Sequence, residues 1–398
     1  MRLCVINTGG TIGCTGSPLA PLPAAKFADA CRSMLDPVIA QQFPGVQITY
    51  RTDLTFPGSR SGTLDSTNLQ PADWCRMAGY ILKHYAECDG WIVLHGTDTM
   101  EFTGAALPFL LSSFSKDGAV TAALSKPVIL TGSQLPMFRE DSKTRQLSLN
   151  SNSDAVQNFY GAVAAAQTGI PEVCLYFDGR LYRGSRIRKT STARPDAFSS
   201  PNFPPLGEYG TQFTIAPGRA LPPPADRVSL DNPSVRNNAI AQLDYIAAHI
   251  NNYPVMPFSA FPAWYGANSG LIAALIDACV AQGVKGLILQ SYGAGNFPSG
   301  NPDDPAQGAA YQALARANVN GVVIVNCTQV LEGAVGSDYA AGAWLPAVGA
   351  LGSADMTPSA SLAKLMILLT AAGYSGNQWN AAEVKTLFQR NLLGEMSE

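Results

Sequence analysis

"RLCVINTGGTIG", residues 2–13, decides the fold. A continuous apolar run, Leu3 to Ile6, stops at a turn in which Gly9 and Gly10 sit between Thr8 and Thr11. Unbroken rather than alternating apolar residues suit a strand covered on both faces. The same unit recurs in "GWIVLHGTD", "KPVILTGSQ", "EVCLYFDGR", "KGLILQSYGAGN" and "NGVVIVNCTQ". Helical patterns separate several of these runs, among them residues 71–88, with Pro71 in the first turn, and residues 268–283. Strand–helix alternation predicts an α/β protein with mainly parallel sheets and right-handed crossovers.

The chain has 398 residues, too many for one ordinary core, so two domains are expected. Residues 211–240 are proline-rich and break the alternation. The expected division is 1–212 for a larger N-terminal α/β domain, 213–252 for a linker with an extra helical segment, and 253–398 for a smaller C-terminal α/β domain.

Composition narrows the function. Charged residues are only 14% and the formal net charge is −3, which gives no electrostatic case for nucleic acid. The cluster Arg180, Arg183, Arg186, Arg188 and Lys189 reads as a solvated strand face. No apolar run is long enough to span a bilayer, and "RLCVI" is too short for a signal-peptide core, so a cytoplasmic location and no membrane partner are expected. Eight scattered cysteines, with no Cys-x-x-Cys spacing, read as buried free thiols. With three histidines in unrelated segments (His84, His95, His249), no metal site is expected.

Ligands of open α/β sheets sit beyond the carboxyl ends of the strands. There the sequence places Thr8-Gly9-Gly10-Thr11, His95-Gly96-Thr97-Asp98-Thr99 and Thr131-Gly132-Ser133-Gln134, with Asp65-Ser66-Thr67 just before the 71–88 helix. Hydroxyls beside one carboxylate suit a small polar ligand or a hydroxyl nucleophile activated without histidine. A lysine can serve as the base where burial and nearby cations lower its pKa. The opening turn is not a dinucleotide fingerprint, for it reads T-G-G-T-I-G rather than G-x-G-x-x-G. Taken singly, Thr11 and Thr97 also read as turn residues, Asp98 as a helix N-cap and Lys189 as a surface cation.

Together with "DGWIVLHGTDTMEFTGAALPFLL", "LYFDGRLYRGSRIRK", "LILQSYGAGN", "GSADMTPSASLAKL" and "NLLGEM", these motifs resemble, in order and through both halves, the bacterial asparaginases, and among them the cytoplasmic type I form. The resemblance implies hydrolysis of L-asparagine to L-aspartate and ammonia without metal or organic cofactor. Thr11 matches the nucleophile, and Thr97, Asp98 and Lys189 the Thr–Lys–Asp group. Asp98 also matches the residue holding the substrate α-amino group. Ser66 and Thr67 match the α-carboxylate pair, Gly10 supplies backbone N–H to the substrate carbonyl, and Ser133 lines the pocket. Asn296 matches an asparagine reaching the site of a neighbouring subunit, which implies a homodimer or homotetramer with active sites at the interface. The alternatives are an amidase of the same fold acting on glutamine or a peptide- or tRNA-linked amide, and an amino-acid sensor without turnover.

Three departures stand out. The tyrosine common in the family's first loop is missing from "CTGSPLAPLPAAKF", where Leu19 takes its place among prolines 18, 21 and 23. Positions matching a type I regulatory arginine and cysteine are Gln290 and Val330, so that regulatory site is expected to be lost. Polar insertions occupy 139–159 and 299–311.

Overall fold

A computed structural model describes every residue except 267, 337 and 398. The chain forms two compact units. The first comprises 1–113, 120–200 and 204–244; the second comprises 114–119, 201–203 and 245–398.

The expected apolar runs are all strands. In the first unit these are β1 (Arg2–Asn7), β3 (Gly90–Leu94), β4 (Val128–Thr131) and β5 (Val173–Phe177), joined by β2 (Gln47–Arg51), which no apolar run announced. They lie in the order β2-β1-β3-β4-β5 and pair in parallel. Three antiparallel strands extend the far edge: β6 (Arg180–Arg183), β7 (Gly207–Tyr209) and β8 (Phe213–Ile215). Every residue of β3, β4 and β5 is buried, as their unbroken apolar runs require. Helices Ala24–Met34 and Asp36–Gln42 carry the β1–β2 connection, and three more carry the later ones: α1 (Pro71–Lys83), α2 (Met100–Leu110) and α3 (Ala155–Ala166). Helix α1 stops at Lys83, and the rest of the expected 71–88 segment continues as a short 3₁₀ turn, Tyr85–Glu87. Its start is fixed by Pro71 and by a capping box between Gln70 and Asp73.

The second unit holds a smaller, wholly parallel sheet: β9 (Val255–Ser259), β10 (Gly286–Ser291), β11 (Val323–Thr328) and β12 (Leu351–Gly352). With it come α4 (Leu271–Ala281), α5 (Ala309–Val319) and α6 (Pro358–Ala371). Within this unit Lys364 of α6 and Glu395 are fully buried and ion-paired. The lysine also donates to Arg390 O, and Glu395 accepts from the Leu392 and Leu393 backbone. Burial holds the Lys364 pKa below its usual value, against the opposing pull of Glu395.

Two expectations are corrected. Cys4 and Cys88 form a disulfide with Cα atoms 5.9 Å apart. They are 84 residues apart in sequence, but Leu3 of β1 pairs with Gly90 of β3, so the sheet makes them neighbours. The other six cysteines are in no disulfide. The arginine cluster is not a solvated face either. Arg183 and Arg186 are 5% and 1% exposed, and Arg183 Nε donates to buried Glu172 at 2.7 Å. A charge is tolerated there because a carboxylate meets it.

Lys364→Met removes the ammonium beside buried Glu395, and should cost about 3–5 kcal/mol in denaturant unfolding; a loss below about 1 kcal/mol would show that the pair is not closed. Thiol titration of the denatured, unreduced protein should find six groups, rising to eight after reduction.

Candidate active site

Glycines bring the strand ends together. Gly9 and Gly10 have φ of 111° and 79°, values that L side chains rarely adopt. A Cβ on Gly9 would stand 2.0 Å from Leu64 O, and one on Gly10 would stand 2.1 Å from the Gly96 Cα. Gly96 leaves no more room: its Cβ would meet the Ser66 Oγ at 2.4 Å. A Cβ on Gly132, after β4, would stand 2.4 Å from His95 O. The turns after β1, β3 and β4 and the 64–67 loop are therefore in backbone contact. Thr11 begins a 3₁₀ turn, Thr11–Gly13, directly after Gly10, and Thr97 follows Gly96, so the Gly10–Gly96 contact sets the two threonines on adjoining turns.

Lys189 joins the cluster from 92 residues downstream of Thr97. Its Nζ donates to Thr97 Oγ1 at 2.8 Å and to Asp98 Oδ1 at 2.6 Å. Thr97 is buried, Lys189 half-buried and the Asp98 side chain 55% exposed, so the carboxylate faces outward. Asp98 does not cap α2. The N-cap is Thr99, whose hydroxyl instead donates to Ser66 O at 2.8 Å and ties the 64–67 loop to the Thr97 turn. Ser66 is buried and Thr67 exposed, its N–H held by Asp65. Ser133 is buried and donates to Leu135 O at 2.5 Å. Asn296 lies in the second unit, in a turn closed by reciprocal backbone bonds with Tyr292.

Sequence reading missed the groups that hold the cluster. Glu101 accepts the Lys189 backbone N–H at 2.8 Å and pairs with Arg188. Its signal was position alone, the first turn of the helix after "HGTDT". Asp154 accepts the Gln134 and Leu135 N–H groups, while the Gln134 amide donates to Ser191 O and Arg194 O, just past Lys189. His95 is wholly buried. Its Nδ1 is 2.7 Å from Gly96 O and its Nε2 2.9 Å from the Thr103 hydroxyl. Burial pushes its pKa down to about 4, so it is a neutral prop for the turn. The segment around Leu19 is a small hairpin, Cys14–Thr15 with Ala20–Pro21, and Leu19 is 52% exposed at its tip. Burial raises the Cys14 thiol to about 11, and the thiol donates to Gly10 O. Gln290 accepts from the Ser259 hydroxyl, and Val330 is half-exposed. Among the described residues no cluster of His, Cys, Asp and Glu suits a metal ion.

A parallel α/β sheet with a hydroxyl–ammonium–carboxylate cluster beyond its strand ends defines a protein built to handle a small polar molecule. Comparison with known proteins narrows this. The family model described as "Asparaginase, N-terminal" matches residues 2–219, and "Glutaminase/Asparaginase C-terminal domain" matches 267–388. L-asparaginase 1 of Escherichia coli K12 is 33% identical over 395 residues, 99% of this chain and 97% of that protein. The mouse 60 kDa lysophospholipase is 32% identical over 409 residues, and the chain spans 62% of its length. The crystal structure of L-asparaginase I from Vibrio cholerae superposes with a TM-score of 0.71 at 30% identity, covering 100% of this chain and 99% of that one. The chain belongs to the asparaginase family.

The lowered pKa of His95 carries a prediction. Below pH 6.5 the unfolded histidine binds a proton that the folded one refuses until about pH 4, so stability falls as pH drops through that window. Between pH 7 and 5 this contribution is about 2 kcal/mol. The fall in unfolding free energy from pH 7 to pH 5 should be smaller by that amount in His95→Gln; equal falls would remove the buried neutral histidine.

Proposed function

We propose that the protein is an L-asparaginase, hydrolysing L-asparagine to L-aspartate and ammonia. The observation that carries the reading is the placement of Lys189 Nζ between the Thr97 hydroxyl and the Asp98 carboxylate, one residue past the Gly10–Gly96 contact that adjoins Thr11. In this reading the Thr11 oxygen attacks the side-chain amide carbon. Its proton passes to the leaving nitrogen, which departs as ammonia and leaves a threonyl ester. Water, deprotonated at Thr97 with Lys189 behind it, then attacks the ester and releases aspartate and the Thr11 hydroxyl. Direct attack by that water on the amide is the shorter route through the same groups. Backbone N–H groups at the Gly10 turn offset the negative charge that develops on the carbonyl oxygen.

The outward-facing Asp98 takes the substrate ammonium, Ser66 and Thr67 take the α-carboxylate, and Ser133 borders the pocket. Asn296 completes the ammonium side from a neighbouring copy, in a homodimer or homotetramer. Glutamine is a poorer substrate, since one methylene is worth only about 1–3 kcal/mol of discrimination. The cytoplasmic location read from scattered thiols meets the Cys4–Cys88 disulfide, a bond more usual in oxidising compartments.

The exposed Leu19 tip supports a second reading, in which the same machinery cleaves another amide. A lid without the tyrosine presents an apolar side chain where asparagine needs none.

Thr97→Ala and Lys189→Ala should each lower kcat for ammonia release from asparagine by at least about 10²-fold. Near-normal activity in both would sink the catalytic assignment. Full activity on a bulkier amide with none on asparagine would select the second reading.

A further inference from the structure

The insertion at 139–159 begins with a hairpin that packs on the loop carrying Thr11. In it Phe138–Glu140 pairs antiparallel with Leu147–Leu149. Asp141 closes the tip, accepting from the Lys143 and Thr144 N–H groups and from the Thr144 hydroxyl. The feet are closed as well. The Asn150 N–H donates to Met137 O at 2.9 Å, and the Asn150 side-chain amide donates to Pro136 O at 3.0 Å. A two-stranded hairpin is at best marginally stable by itself, so what it packs against decides what it does.

Its partner is the first loop, met at three points. The Met137 N–H donates to Ile12 O at 3.2 Å, one residue past Thr11. Lys26 Nζ lies 2.5 Å from Glu140 Oε1, and the other Glu140 oxygen meets Arg145 at 3.1 Å. The Phe27 and Phe138 rings meet edge to face with centroids 5.5 Å apart, and both residues are 1% exposed. Lys26 and Phe27 belong to the helix Ala24–Met34, so the hairpin holds the loop where it starts and where it ends. Between these points the loop is closed on itself, for the Leu22 N–H donates to Gly13 O at 2.9 Å and Cys14–Thr15 pairs with Ala20–Pro21. Pro18, Pro21 and Pro23 each fix one backbone angle there. Segments that open and close are those with few buried contacts. This one buries Ile12, Cys14, Leu22 and Phe27.

We propose that the 138–149 hairpin is a fixed buttress for the Thr11 loop, with Phe138 and Glu140 as positioning residues for the nucleophile. The inference rests on Thr11 as nucleophile, the reading given above. The loop then stands in its working position throughout the cycle instead of closing over the substrate. The groups assigned to the charged ends of the substrate, Asp98, Ser66 and Thr67, lie outside the loop. Loosening the buttress therefore misplaces Thr11 without removing those contacts, and costs kcat rather than KM.

Phe138→Ala should lower kcat for asparagine at least about 5-fold while KM stays within about 2-fold. Phe138→Leu restores most of the apolar bulk and should bring kcat back to within about 2-fold of the wild type. Hydrogen exchange of the Gly13, Leu22 and Met137 amides should be at least about 10-fold faster in Phe138→Ala. Lys26→Met acts at a side chain 40% exposed and opens no cavity, so it keeps the test valid if Phe138→Ala fails to fold. It should speed the same amides about 3-fold. In the wild type, L-aspartate at a concentration that calorimetry shows to be saturating should change these rates by less than about 2-fold. Unchanged exchange in both variants overturns the proposal, as does a rise in KM with kcat unaltered. So does slowing by aspartate of about 10-fold, for the loop is then a lid that closes on its ligand. If the wild type releases no ammonia from asparagine, the catalytic reading falls, and the exchange comparison still decides whether the hairpin holds the loop.

Discussion

The site depends on a backbone contact that only glycine permits. Gly10 rests on Gly96, Gly96 on Ser66, and Gly132 on the carbonyl of His95. A single methyl at Gly10 would have to occupy the space of the Gly96 Cα, and neither partner is a side chain that could swing aside. Parallel strands set neighbouring carboxyl ends side by side, but ordinary turns would hold their backbones apart by the width of a side chain. The glycines remove that width. Three strand ends and one loop thus form a continuous floor, with Thr11, Ser66 and Thr97 standing along it.

Charge is admitted to this floor only where it is met. Lys189 reaches Thr97 and Asp98 because its own backbone is fastened elsewhere: its N–H bonds to Glu101, and Arg188–Lys189 pairs with Phe198–Ser199. Glu101 in turn pairs with Arg188. The same rule governs the structural charges. Arg183 meets Glu172 within the first unit, and Lys364 meets Glu395 within the second. His95 meets no charge and stays neutral, bound to a carbonyl and a hydroxyl. The Lys364–Glu395 pair ties residues 31 positions apart and the Arg183–Glu172 pair residues 11 apart, and each of these groups would be costly if left alone.

Much of this was legible beforehand because it is local. Continuous apolar runs gave away β1, β3, β4, β5, β10 and β11, since a strand buried on both faces leaves no room for alternation. Pro71 marked the start of α1, and the polar motifs fall, as expected, at the ends of parallel strands. The misreadings were not local. Arg183 and Arg186 look like surface cations until Glu172 is brought to Arg183, and Cys4 and Cys88 look like isolated thiols until β1 and β3 pair. Glu101 carried no motif, because its role is defined by the backbone of a residue 88 positions away.

The sequence by itself determined the parallel α/β architecture, the identity of the polar groups at the strand ends and the absence of a tyrosine in the first loop. These follow from apolar periodicity and turn chemistry, which act over a few residues. The tertiary structure alone decided that Lys189 stands between Thr97 and Asp98, that Cys4 reaches Cys88, and that the hairpin at 138–149 lies against the Thr11 loop. Such approaches depend on sheet order and register, and a one-dimensional pattern carries neither, because neighbouring strands in a parallel sheet are separated by whole crossover connections.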